Sequence, residues 1–193
     1  MVDITMLQSV SYIAGALGVC VAAIFYVLNL RISQRNMEAN SETRQFQLLM
    51  QLSAPQFSKE GFRTYLEFAS MEWKDYEDFE KKYGSDVNPE SLVVRDFIGS
   101  WFNKAGILLK YGMIDRELLY DFLGTDSISQ WNKYGEIVRT QRELYSAPEL
   151  YRYWDYLYDE MVKIAAERGM DIQRKEEVKF TEEMRRKLEA KFT

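Results

Sequence analysis

Apolar and polar positions fall into two regimes along this chain. Residues 4–30 carry no charged side chain, and the stretch 10–30, VSYIAGALGVCVAAIFYVLNL, is almost continuously apolar. At about 1.5 Å per residue that stretch spans the ~30 Å hydrocarbon core of a bilayer. Beyond Leu30, apolar residues recur every three or four positions, the spacing of helices with one buried face. The pattern predicts an all-α chain: a single N-terminal transmembrane helix that continues into a spacer helix, then a small bundle of about five helices.

The predicted organisation is an extracytoplasmic stub at 1–9, the transmembrane helix at 10–30, a juxtamembrane helix at 31–52, the bundle at 53–168, and a charged tail or short amphipathic helix at 169–193. A cleaved signal peptide would need a basic leader and a small-x-small cleavage site, whereas the charged side chain ahead of the apolar run is Asp3. Arg31, Arg35 and Arg44 follow the run, so the positive-inside rule puts the N-terminus outside and the C-terminal domain in the cytoplasm, single-pass in the cell membrane. Within the span, Ala14, Gly18 and Ala22 recur at four residues and form a face on which two helices in lipid can approach closely. Ile32, Ala39 and Phe46 repeat at seven, which fits either a short coiled coil or a solvated helical spacer.

Helix punctuation divides the rest. In SAPQ, Ser53 and Gln56 bracket Pro55 as a helix start, an apolar face through Phe62, Tyr65, Leu66, Ala69, Trp73 and Tyr76 follows, and the acidic stretch WKDYEDFEKKYG ends at Gly84. Asn88 and Pro89 begin the next helix, with Val94, Phe97, Ile98, Trp101, Ala105 and Leu108 on one stripe. Gly112 and Gly124 are expected to close helices in the left-handed conformation, and Asp115 to cap the short helix between them. Gly106 is different: mid-helix it costs up to ~1 kcal/mol relative to Ala, which marks it as a point of close helix approach, and Asn103 is placed to hydrogen-bond the incoming chain. Ser146 and Glu149 read as a capping box around Pro148. The helix after it is aromatic on two sides. Tyr151, Trp154, Tyr158 and Met161 are core, while Tyr153, Tyr156 and Leu157 form either a protein-interaction face or an internal face whose hydroxyls reach water.

Composition narrows the chemistry. The chain has no histidine, which removes the usual general base, metal ligand and pH switch. Its single cysteine, Cys20, lies in the apolar run, so neither a disulfide framework nor a thiolate zinc site is expected. The net charge of −5 with interspersed signs offers no basic face for nucleic acid. Asp75, Glu77, Asp78 and Glu80 crowd together, but helical geometry fans them around the axis, and no metal or other cofactor is expected.

Phe102, Asn103, Gly106, Leu108, Gly112, Ile114, Leu118, Phe122, Gly124 and Trp131 carry a resemblance. The F-N-x-x-G-x-L, G-x-I, F-x-G and W pattern resembles an uncharacterised prokaryotic family with one N-terminal membrane span and a small cytoplasmic helical domain, over residues 10 to 165. The resemblance implies topology and no activity. The expected function is that of a membrane-anchored interaction protein, an accessory or scaffold subunit without catalysis of its own, whose partners are membrane lipid and another membrane protein or a second copy. Alternatives are a tethered hydrolase drawing a carboxylate pair from Asp75, Glu77, Asp155, Asp159 and Glu160, or a homo-oligomeric sensor or pore subunit.

Overall fold

The computed structural model describes residues 4–170, so the expectation of an amphipathic tail segment through Phe180, Met184, Leu188 and Phe192 lies outside the described residues. Every element within them is helical. The chain divides into two units, Met1–Phe46 and Gln47–Thr193.

The first unit is the body of α1, Ile4–Ser53. From Gln8 to Arg44 each residue of this helix is exposed. It is the one helix among the described residues that is long and apolar enough to cross a membrane.

In the second unit, the last turns of α1 enter the core through Leu49 and Ser53, both fully buried. Ser53 therefore ends α1 and does not begin the next helix as SAPQ led us to expect. The helix start moves to Ser58, whose Oγ accepts the Gly61 N–H at 2.9 Å, and α2 is Lys59–Ser70. The intervening turn folds back onto α2 so tightly that a Cβ on Gly61 would lie 1.9 Å from the Pro55 carbonyl oxygen.

The face expected to run from Phe62 to Tyr76 is interrupted, because α2 stops at Ser70. Lys133 Nζ donates to the Phe68 and Ala69 carbonyls at 2.9 and 2.7 Å, which satisfies acceptors that a continuing helix would have used. Trp73 drops into the connection and packs edge-on against Phe79, Tyr83 and Tyr134. Asp75 then caps α3, Tyr76–Tyr83, by accepting the Asp78 N–H.

Helix α4, Pro89–Lys110, begins as the sequence reads, with Asn88 as cap and Pro89 in the first turn. It buries one broad face, including Ile98, Phe102, Ala105 and Gly106, and it packs against α2, α3 and α7. Gly112 breaks the chain with a φ of +62°. Asp115 accepts the Glu117 and Leu118 N–H groups and starts α5, Arg116–Leu119.

Gly124 corrects the expectation of a left-handed helix end. Its φ and ψ are −58° and −49°, so the helix does not stop there. Instead α5 passes through a π-helical turn, Tyr120–Gly124, directly into α6, Thr125–Leu144. The glycine is required for another reason. A Cβ at Gly124 would sit 2.6 Å from the Tyr120 ring, which folds across the widened turn.

The SAPE capping box also does not form. Ser146 has a φ of +50°, and α7, Arg152–Glu167, begins only after Tyr151. The chain between α6 and α7 is held by Arg142, which donates to the Leu150 carbonyl at 2.9 Å and pairs with Asp155 at 2.8 Å. Helix α7 packs against both α4 and α6. The core they share includes Trp131, Tyr134, Trp154, Leu157, Met161 and Ile164.

Candidate functional site

Polar chemistry inside the bundle concentrates where the start of α7 meets α4. Gly99, Asn103 and Gly106 lie at i, i+4 and i+7 and so face the same way along α4. A Cβ on Gly99 would lie 2.4 Å from the Tyr151 ring, and one on Gly106 would lie 1.9 Å from the Tyr153 carbonyl oxygen. Between them Asn103 Oδ1 accepts the Tyr153 N–H at 2.9 Å. That N–H is in the first turn of α7, where a helix leaves its donors without intrahelical partners, so Asn103 acts as a cap supplied by another helix. The F-N-x-x-G motif thus builds a groove in α4 that receives backbone.

Tyr151, the residue seated at the groove's upper end, is left-handed at φ 48° and ψ 33°. An aromatic residue in this region is strained and persists only when its surroundings hold it. Two contacts do so: the ring lies over Gly99, and the hydroxyl donates to Asp96 Oδ1 at 2.9 Å.

Beside this groove lies Arg95, which the sequence reading did not single out. It is 3% exposed. Its Nε donates to the Ser91 carbonyl at 3.2 Å, and its terminal nitrogens donate to Tyr134 Oη at 3.3 Å, the Tyr83 carbonyl at 3.0 Å and Ser85 Oγ at 3.2 Å. The guanidinium also lies 5.0 Å from the centre of the Phe79 ring. The charge is thus held by neutral oxygens and an aromatic face, which link α3, α4 and α6 around one cation. An arginine on the apolar stripe of a helix, next to Val94, is the available sequence signal, but nothing local names its acceptors.

Burial pushes the Tyr134 hydroxyl above its ordinary pKa of 10.0, against a lowering influence from Arg95. Burial raises Tyr151 as well, reinforced by Tyr134 and Asp96, and Tyr65 in the same direction with help from Asp126. These three phenols stay neutral in the fold at a pH where an unfolded chain would ionise them. Stability is therefore complete below about pH 10 and falls above it, by up to ~1.4 kcal/mol per pH unit for each tyrosine. Urea midpoints should be flat from pH 7 to 9 and fall steeply towards pH 11. The tyrosinate absorbance of these three residues should appear together with unfolding, and ionisation ahead of it would refute the assignment.

The other residues considered from sequence are placed as follows. Leu157 is fully buried, which corrects its assignment to an interaction face: three residues after Trp154 and four before Met161, it stands on the same buried stripe of α7. Tyr153 and Tyr156 are half-buried, with Arg152 donating to Tyr153 Oη at 2.9 Å and Lys110 lying 4.8 Å from the centre of the Tyr156 ring. Ala14, Gly18 and Ala22 are exposed on α1. The carboxylates are dispersed in their bonding: Asp75 caps α3, while Glu77, Asp155 and Glu160 pair with Lys81, Arg142 and Lys163. Among the described residues, no group of three or more His, Cys, Asp or Glu side chains is placed to hold a metal ion.

The family model described as a domain of unknown function (DUF4760) matches residues 13–161, and the chain belongs to that family. No curated protein and no solved structure matches it.

Proposed function

We propose that this member of the family is a membrane-tethered helical module: α1 crosses the bilayer once, the bundle lies on the cytoplasmic side, and the protein acts by binding another protein without catalysis of its own. The observation that carries the reading is the absence of any charged side chain from residues 4–30, within a helix whose side chains from Gln8 to Arg44 are all exposed. Ten of the residues in 10–30 are Val, Ile, Leu or Phe, each contributing about −0.3 to −0.6 kcal/mol to insertion, with no charge to oppose them. The flanking Arg31, Arg35 and Arg44 support the orientation.

A binding role, as against catalysis, is supported by the bundle's polar chemistry. Arg95, Asn103, Asp96 and Tyr151 are all engaged with one another's helices or with backbone, and the groove in α4 is filled by the chain itself. Since Leu157 is internal, a partner would have to meet other apolar side chains, of which Phe57, Tyr111, Val87 and Val93 are the most exposed among the described residues of the bundle.

Alkaline carbonate extraction and protease shaving of inner-membrane vesicles test the anchor. The full chain should remain in the pellet, and the bundle should be digested only in inside-out vesicles. Recovery of the chain in the supernatant would overturn the reading. Purification in mild detergent should retain a stoichiometric protein, and turnover by the purified chain alone would count against the non-catalytic role.

A further inference from the structure

The exposed α1 carries a second pattern, which continues past the lipid-length segment. Counting from Gly15 in a seven-residue repeat places Asn29, Asn36 and Thr43 at one seam position, conventionally a, and Phe25, Ile32, Ala39 and Phe46 at the other, d. Phe25, Ile32 and Phe46 are 64%, 56% and 57% exposed, so this face of the helix is uncovered by the described residues. No seam position from Gly15 to Phe46 is charged, although the stretch 31–46 contains Arg31, Arg35, Glu38, Glu42 and Arg44. Those five fall at b, c and g.

We infer that α1 pairs in parallel with α1 of a second copy along this seam. The inference rests on the membrane reading above, because two copies inserted with the same topology must run parallel with equal residues at equal depth. That constraint brings each asparagine opposite its own counterpart. An asparagine at a is costly against an apolar or lipid surface and is satisfied by an identical asparagine across a two-stranded parallel seam, where it also fixes register. Asn29 and Asn36, at consecutive a positions two turns apart, make a second copy a better fit than an unrelated helix, which would have to present matching amides at both levels. Charge agrees: across a parallel pair Arg35 at g meets the neutral Asn40 at e of the other copy, and no like charges oppose. Gly18 and Ala22 continue the seam into the apolar segment and let the backbones close there.

The test is cysteine cross-linking of the full chain in native membranes, in a Cys20→Ser background. Paired seam positions bring Cβ atoms close to the ~3.5–4.5 Å a disulfide needs, whereas f positions point away from the partner. Ile32→Cys, Asn36→Cys and Ala39→Cys should each shift on mild oxidation from the 22.8 kDa chain to a product of twice that mass. The f-position variants Gln34→Cys and Ser41→Cys should stay monomeric. Seam variants that remain in the carbonate-resistant pellet yet give no dimer, equal cross-linking at seam and f positions, or a seam adduct of any mass other than the dimer's would each overturn the pairing while leaving the anchor intact. Extraction of the chain by carbonate would instead remove the membrane reading and the pairing with it.

Discussion

Gly106→Ala is expected to lower the stability of the bundle by about 3 kcal/mol, the cost of forcing a methyl group between two packed helices. A Cβ there would sit 1.9 Å from the Tyr153 carbonyl oxygen and 2.6 Å from its carbonyl carbon. Both are backbone atoms, so no rotamer change relieves the overlap, and α4 and α7 must move apart. Doing so would also lengthen the 2.9 Å bond from the Tyr153 N–H to Asn103 and expose part of Trp154 and Leu157, both fully buried beyond the contact. Gly112→Ala is the appropriate control. It meets nothing within 4 Å and carries only the strain of φ +62°, about 1 kcal/mol. Urea unfolding in mild detergent, followed by the tryptophan fluorescence of Trp73, Trp101, Trp131 and Trp154, separates the two. Equal losses for the two variants would mean that the close approach of α4 and α7 is not rigid.

At Arg95 the charge-conserving substitution should do more harm than the apolar one. Lysine retains a charge that must be taken out of water but has a compact ammonium, unable to spread over the four oxygens that Arg95 reaches on three helices and a loop. Methionine loses the same hydrogen bonds but removes the charge and keeps much of the packing against Phe79. We expect a loss of about 3 kcal/mol for Arg95→Lys and about 1 kcal/mol for Arg95→Met. Arg95→Ala should resemble the lysine variant, through the cavity that it leaves. Denaturation midpoints in the reverse order, methionine worse than lysine, would show that the site depends on positive charge as such.

What could be read from sequence was local. Asn88 with Pro89, Asp115 and Gly112 each act within a few residues, and their roles follow from side-chain reach and backbone freedom. Gly106 and Asn103 were legible for a related reason, since a glycine inside a strong helical pattern has few uses other than close approach. Most of the failures share a physical cause, which is tertiary contact overriding a local signal. Ser53 has the form of a cap but is drawn into the core as the end of α1, and α2 stops early because Lys133, far along the chain, takes its last carbonyls. Leu157 stands apart from these, since three residues after Trp154 and four before Met161 it shares their buried stripe by helical spacing alone. Arg95 has a buried role that depends on oxygens contributed by separate elements, and no spacing rule connects them.

The widened turn at Tyr120–Gly124 governs how the long α5–α6 helix is phased. An α-helix turns by about 100° per residue, and a turn of the π type absorbs one residue more than its neighbours. Upstream, Leu119 points into the core; downstream, so do Ile128, Trp131 and Tyr134. Excision of a single residue from this turn would restore a regular helix and swing one of these sets away from the interior by roughly that angle. The inserted residue therefore works as a phase shifter that keeps both halves of one rod aimed at the same centre.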